Sequence, residues 1–296
     1  MTKILSIKQI QNKEFANTED FQTTVEMLQS RLTNLYHRQL IQGATNYGSF
    51  LHNQHTVLSD IDAIILADSP AHLIQDQVFQ QICSIFKTSK IDFMPVIVPI
   101  EDIYSKRSNF SFMQPLKNEK SRFVVGVDPV QTYFQNYTQA DQLRSLSVVI
   151  NDYNRQFIEP LIITASNPNQ ENLHIICQYI FQGFRDSYRN LINIHSINNN
   201  YNLCNSKQSF QHFLSLYPNF LTKLHTARLQ DLELSYNEYK RRINFYSKGF
   251  SFIDHAKEYQ EFLANITKFA PDTIEFITLT KQFVLDSHKV LTISNN

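Results

Sequence analysis

Residues Tyr47–Leu66 read YGSFLHNQHTVLSDIDAIIL and set two acids, Asp60 and Asp62, one residue apart at the head of an apolar run. The stretch 59–67, SDIDAIILA, is dense in isoleucine, which predicts a buried β-strand. Side chains alternate across a strand, so Asp60 and Asp62 share one face while Ile61 and Ala63 share the other, and the two acid Cα atoms stand about 6.5–7 Å apart. Burying such a pair without compensation is costly. The run of apolar residues after them argues against a solvent-facing strand end, so a compensating positive group is expected beside them.

A pair of divalent cations would be such a group. Two carboxylates at this spacing can reach a shared pair of ions, which lie ~3.5–4 Å apart in two-metal sites. Magnesium suits a hard oxygen donor set that also receives phosphates. Asp92 stands in a similar context, flanked by Ile91 and Phe93 at the start of the next expected strand. It would complete the shell and help deprotonate an attacking hydroxyl. Upstream, Gly48 and Ser49 follow a short strand at Ala44–Tyr47. The glycine lets backbone approach a phosphate, and the serine hydroxyl with the N–H groups after it can cradle one.

Gly-Ser, ten residues, Asp-x-Asp in an apolar strand, then an apolar-Asp-apolar strand about thirty residues on: this series resembles the nucleotidyltransferase superfamily of DNA polymerase β. Within it, YGSF–SDID, FVVGVDPVQTYFQNY at 123–137 and TARLQDLEL at 226–234 look like the lincosamide nucleotidyltransferases and, more distantly, kanamycin nucleotidyltransferase. The resemblance covers roughly residues 20–265. It implies transfer of a nucleoside monophosphate from an NTP to a hydroxyl, with release of pyrophosphate. It assigns Asp60, Asp62 and Asp92 to two Mg2+ ions and to catalysis, and Gly48 and Ser49 to the nucleotide phosphates. The acceptor it implies is a small hydroxylated molecule, an antibiotic of lincosamide or aminoglycoside type, with antibiotic resistance as the role. Alternatives are a macromolecular acceptor, such as a tRNA 3′ end or a protein hydroxyl, and a non-catalytic nucleotide-binding relative. A homodimer is a further option by resemblance alone. The spacer FLHNQHTVLS lacks the glycines common in the antibiotic enzymes, and no motif marks a separate base in the second half.

Outward from this stretch, the pattern predicts strands with helices over 1–137 and then an all-helical domain over 138–296; the resemblance implies an α+β protein whose first domain is a nucleotidyltransferase-like mixed sheet with helices and whose helical domain chooses the acceptor. Phe21, Val25, Leu28, Leu32, Leu35 and Tyr36 recur at helical spacing, predicting a helix over 19–41 that Gly43 stops. Asp68-Ser69-Pro70 starts a second helix, with apolar positions from Leu73 to Phe86. Lys90–Val98 reads as a strand, placed at an edge or bent by Pro95. Residues 109–122 read as a loop, 123–127 as a short strand, and Asp128-Pro129 as a capped helix start. Beyond about 138, helices follow at 139–165, 170–195, 207–216, 219–246, 252–269 and 272–290, broken at Pro168, the asparagine-rich 198–205, Pro218 and Pro271.

Composition narrows the partners. Formal net charge is zero, and residues 1–168 hold 14 basic and 16 acidic side chains against 13 and 11 in the rest. A protein that grips long nucleic acid usually carries a basic face, so there is no strong nucleic-acid signal. With no tryptophan, 14 tyrosines and 23 phenylalanines supply the large apolar surfaces. Cys83, Cys177 and Cys204 are odd in number and widely spaced, which reads as reduced core thiols. No apolar run approaches the ~20 residues of a membrane span, and no leader is evident, so a cytoplasmic protein without membrane contact is expected. His52 and His55 read as loop histidines. Lys117, Lys120 and Arg122 form a basic loop that could reach a triphosphate, and Arg185 and Arg189 with Asp186 read as a salt-bridged helix face.

Overall fold

The computed structural model describes residues 4–49, 55–68, 80–86, 90–106, 111–117, 122–199, 206–249 and 252–294. The chain forms two compact units, Glu14–Thr138 and Met1–Lys13 with Gln139–Asn296. The first is mixed α/β; the second is helical throughout its described residues.

Four strands make the sheet of the first unit: β1 (Gly43–Tyr47), β2 (Ile61–Ala67), β3 (Phe93–Pro99) and β4 (Phe123–Gly126), in the order β3-β2-β1-β4. β1 runs antiparallel to both its neighbours, and β2 and β3 are parallel. Parallel neighbours need a crossover, and residues 80–86 are a helix in that connection, with Ile82 buried in the core. The rest of the expected helix after Asp68 falls outside the described residues. β3 is an edge strand, which is why Pro95 is tolerated: a proline cannot donate to a ladder on its outer side.

Each face of the sheet has its own core. Ala44, Ile61, Ala63 and Ile65 pack with Phe21, Val25, Leu28, Leu32 and Leu35 of the helix Thr18–His37. Ile64, Leu66 and Val98 pack on the other side with Ile103, Met113, Val130, Tyr133 and Tyr137. Helix Pro129–Asn136 covers that second side, and Asp128 caps it by accepting from the N–H groups of Val130 and Gln131.

Two expectations need correction. The first long helix ends at His37, not near residue 41, because Gln39 turns left-handed at φ 57°. Gly43 is therefore a strand residue and no helix stop. Glycine is needed there because an added Cβ would lie 1.9 Å from the Val127 carbonyl oxygen. The basic stretch expected as loop contains a 3-10 helix at Ser111–Leu116.

The helical unit is built on Gln139–Asn151, Leu173–Asn199 and Ala270–Ser294, whose Leu143, Leu146, Ile150, Ile194, Ile197, Ile277 and Val284 form one core with Tyr153 and Phe157. The expected helix over 139–165 is interrupted by a π turn at Asn154–Ile158 before Glu159–Ala165. The N-terminal segment belongs to this unit for a physical reason. Ile4 and Leu5 are each 1% exposed, the Tyr239 hydroxyl accepts from Leu5 N–H at 3.1 Å, and the Tyr259 hydroxyl donates to the Leu5 carbonyl at 2.7 Å. Burial pushes both tyrosine hydroxyls far above their ordinary range, so they stay neutral. Helix Lys223–Ser247 is tied to helix Ala270–Ser294 by the Arg228–Asp272 ion pair and by contact of His225 Nε2 with the Glu275 carboxylate, both at 3.0 Å. Among the described residues no helix is long and apolar enough to cross a membrane.

Candidate functional site

The strand expected over 59–67 forms as the isoleucine pattern dictates, but it begins two residues late. Asp60 precedes β2 and Asp62 is its second residue, and both are half-buried. β3 likewise starts at Phe93, leaving the exposed Asp92 just before it. Their registers meet here. Ile61 pairs with Phe93 and Asp62 with Met94, and the Ile61 N–H donates to the Asp92 carbonyl at 3.0 Å. One step back from the Ile61–Phe93 pair, Asp60 stands beside Asp92. Paired residues of parallel strands point to the same side. Asp62 therefore takes the face on which Ile64 and Leu66 are buried, at its open end, and Asp60 and Asp92 lie directly ahead of their strands at that end. Among the described residues, no group of three or more His, Cys, Asp and Glu side chains is gathered closely enough to hold a metal ion. The three acids share one end of the sheet without forming a closed ligand set.

Gly48 follows β1 directly, and β1 ends on the pair Tyr47–Asp62. Its φ is +111°, a conformation that side chains rarely take, and a Cβ there would stand 2.9 Å from the Asp62 Oδ2. A glycine is what lets the turn lie against this carboxylate. The next residue, Ser49, donates its hydroxyl to Ser59 Oγ at 3.2 Å. Ser59 Oγ also accepts from the Thr56 N–H at 2.8 Å, and Thr56 Oγ1 lies 3.5 Å from it. The expected phosphate turn and the expected acid strand thus adjoin, with a hydroxyl cluster between them.

Of the other candidates, His55 packs at a tilt against Phe21, ring centroids 4.9 Å apart, which is a packing position. Arg122 forms a two-pronged pair with Asp128, both contacts 2.7 Å, and so braces the start of helix Pro129–Asn136. Lys117 lies over the Phe134 ring at 5.4 Å. His52 and Lys120 fall outside the described residues. In the helical unit Arg185 pairs with its neighbour Asp186 at 3.4 Å, and Arg189 is exposed. Behind them the Asn190 side-chain amide donates to the buried Tyr153 hydroxyl, which burial keeps protonated. Cys177 is a buried thiol that donates to the Leu263 carbonyl, Cys83 is half-buried, neither is in a disulfide, and Cys204 is outside the described residues. Sequence reasoning passed over Ser59 and Thr56; the signal available was the serine written directly before the first acid.

Comparison with known proteins finds no match for this chain: no protein-family model, no curated protein and no solved structure.

Proposed function

We propose that this chain is a magnesium-dependent nucleotidyltransferase that moves a nucleoside monophosphate from an NTP to a hydroxyl of a small molecule. One observation carries the reading. Gly48, left-handed and without a side chain, lies against the Asp62 carboxylate, so a phosphate-approaching turn and a two-acid strand share one place. The bond from the Ile61 N–H to the Asp92 carbonyl supports Asp92 as a third acid near that strand end.

In this reading Asp60 and Asp62 would hold two magnesium ions, with Asp92 as a third oxygen donor. Carboxylate oxygens are the hard donors that magnesium prefers, and Gly48 leaves open the space against Asp62. When bound, the ions supply charge neutralisation for the triphosphate and lower the pKa of the acceptor hydroxyl. Ser49 donates to a β- or γ-phosphate oxygen. Asp92 takes the acceptor's proton, the acceptor oxygen bonds to the α-phosphorus, the bond from that phosphorus to the bridging oxygen breaks, and pyrophosphate leaves. A formal net charge of zero favours a small acceptor over a long nucleic acid. Lincosamides and aminoglycosides are the first acceptors to try, on the motif resemblance.

The test is transfer from each α-labelled NTP, with magnesium, to lincomycin and a panel of aminoglycosides, beside Asp60→Asn and Asp62→Asn. Label on one antibiotic with the wild type, absent from both variants, is the expected result. Label on none, from protein that binds NTP with magnesium, removes the antibiotic acceptor and turns the search to tRNA ends and protein hydroxyls. Failure to bind NTP removes the reading altogether.

A further inference from the structure

We propose that Ser59 is a positioning residue that lets Ser49 reverse the direction of its hydrogen bond when a nucleotide phosphate arrives; this rests on the reading above. A hydroxyl has one proton to give and two lone pairs. Ser59 Oγ receives the Thr56 N–H at 2.8 Å and the Ser49 O–H at 3.2 Å, so both its lone pairs are engaged. Its own proton is not committed to a short bond: Thr56 Oγ1 lies 3.5 Å away, and either hydroxyl can be the donor of that long contact. Ser49 in this arrangement points its proton into the protein. Phosphate oxygens only accept, so Ser49 must turn its proton outward to hold one. The Ser49 oxygen then needs a donor behind it, and Ser59 has a proton to give at the same distance. Thr56 N–H stays on Ser59 throughout and holds its oxygen in place.

The arrangement also links two parts of the site. Ser59 precedes Asp60, and Ser49 follows Gly48, whose missing side chain faces Asp62. One hydroxyl pair therefore sets the phosphate turn against the acid strand. Alanine at 59 would leave Ser49 without a donor behind it, whereas threonine keeps the hydroxyl.

The experiment measures binding of a magnesium complex of a non-hydrolysable NTP analogue, the KM for NTP and kcat, and the melting temperature. The proteins are wild type, Ser59→Ala, Ser59→Thr, Ser49→Ala and the Ser49→Ala/Ser59→Ala double variant. Expected for Ser59→Ala is a loss of roughly tenfold in analogue affinity and a matching rise in KM, with kcat changed little. Ser59→Thr should restore most of it. The double variant should bind like Ser49→Ala alone, because Ser59 acts only through Ser49. A lowered melting temperature in Ser59→Ala with unchanged affinity would make Ser59 a loop brace and overturn the proposal. So would full additivity of the two losses. If the wild type binds no analogue, the nucleotide reading falls first and takes this proposal with it; if it binds and Ser59→Ala binds equally, only this proposal falls.

Discussion

The two faces of β2 are a single strand in two settings. On one, Ile61, Ala63 and Ile65 are each 2% exposed or less and sit under the helix Thr18–His37. On the other, Ile64 and Leu66 are as deeply buried, but the same row continues to Asp62, with Asp60 directly ahead of the strand, and both acids are half-buried. The first face is apolar over its whole length. The second is apolar where Val130 and Tyr133 cover it and acidic where that cover ends. A strand whose only task was to join two cores would have no reason to end one row in carboxylates, since each half-buried charge costs desolvation energy. The difference separates residues that hold the sheet from residues that the sheet holds in place.

The largest effect should come from the acidic row. Asp62→Asn keeps size and removes charge. Nucleotidyl transfer should fall about a thousandfold, equivalent to about 4 kcal/mol of barrier, while the melting temperature holds or rises. A labelled-NTP assay beside a thermal melt reads both. Activity near wild type would erase the distinction between the two rows.

The next effect belongs to the opposite row. Ile65 is 0% exposed, so Ile65→Ala should cost about 2–5 kcal/mol in stability by chemical denaturation, with transfer per folded molecule unchanged at low temperature. Smaller again is Gly48→Ala. Its φ of +111° and the 2.9 Å approach to Asp62 Oδ2 predict a loss of about 1–2 kcal/mol. Here stability and activity should fall together, because the added methyl pushes on the acid row itself. A variant that lost stability alone would place Gly48 with the structural residues.

How much of this could be read beforehand follows the same division. The isoleucine run fixes β2 because alternation and density leave few other conformations for it. Pro95 marks an edge strand for want of an N–H, and Asp128-Pro129 marks a helix start for the same kind of local reason. Features that depend on distant partners were not legible. Leu5 belongs with the helical unit through Tyr239 and Tyr259, more than 230 residues away in each case. Gly43 resembles a helix stop until Val127 is placed against it. Within the site, the acids were named from spacing, but their meeting at one end of the sheet rests on the β2–β3 register, and register is set by pairing across 32 residues. The hydroxyl cluster of Ser49, Thr56 and Ser59 was invisible for a further reason: serine and threonine near a turn ordinarily serve the local backbone, and Ser49 and Ser59 meet only in the tertiary structure.

The finest test of the comparison lies on adjacent residues of β3's leading end. Phe93 stacks on Phe86, centroids 4.1 Å apart and planes within 3°, on the apolar face, while Asp92 just before it belongs with the acids. Phe93→Leu should cost about 1 kcal/mol, the size of an aromatic pair beyond its buried area. Transfer should be nearly unchanged, since the Ile61 N–H to Asp92 carbonyl bond is made by backbone and does not need the ring. Asp92→Asn, one residue away, should do the reverse and lower transfer while leaving the melting temperature alone. If Phe93→Leu lowered transfer as much as Asp92→Asn, the stack would be aiming the acid, and the boundary between holding and held residues would run through Phe93 itself.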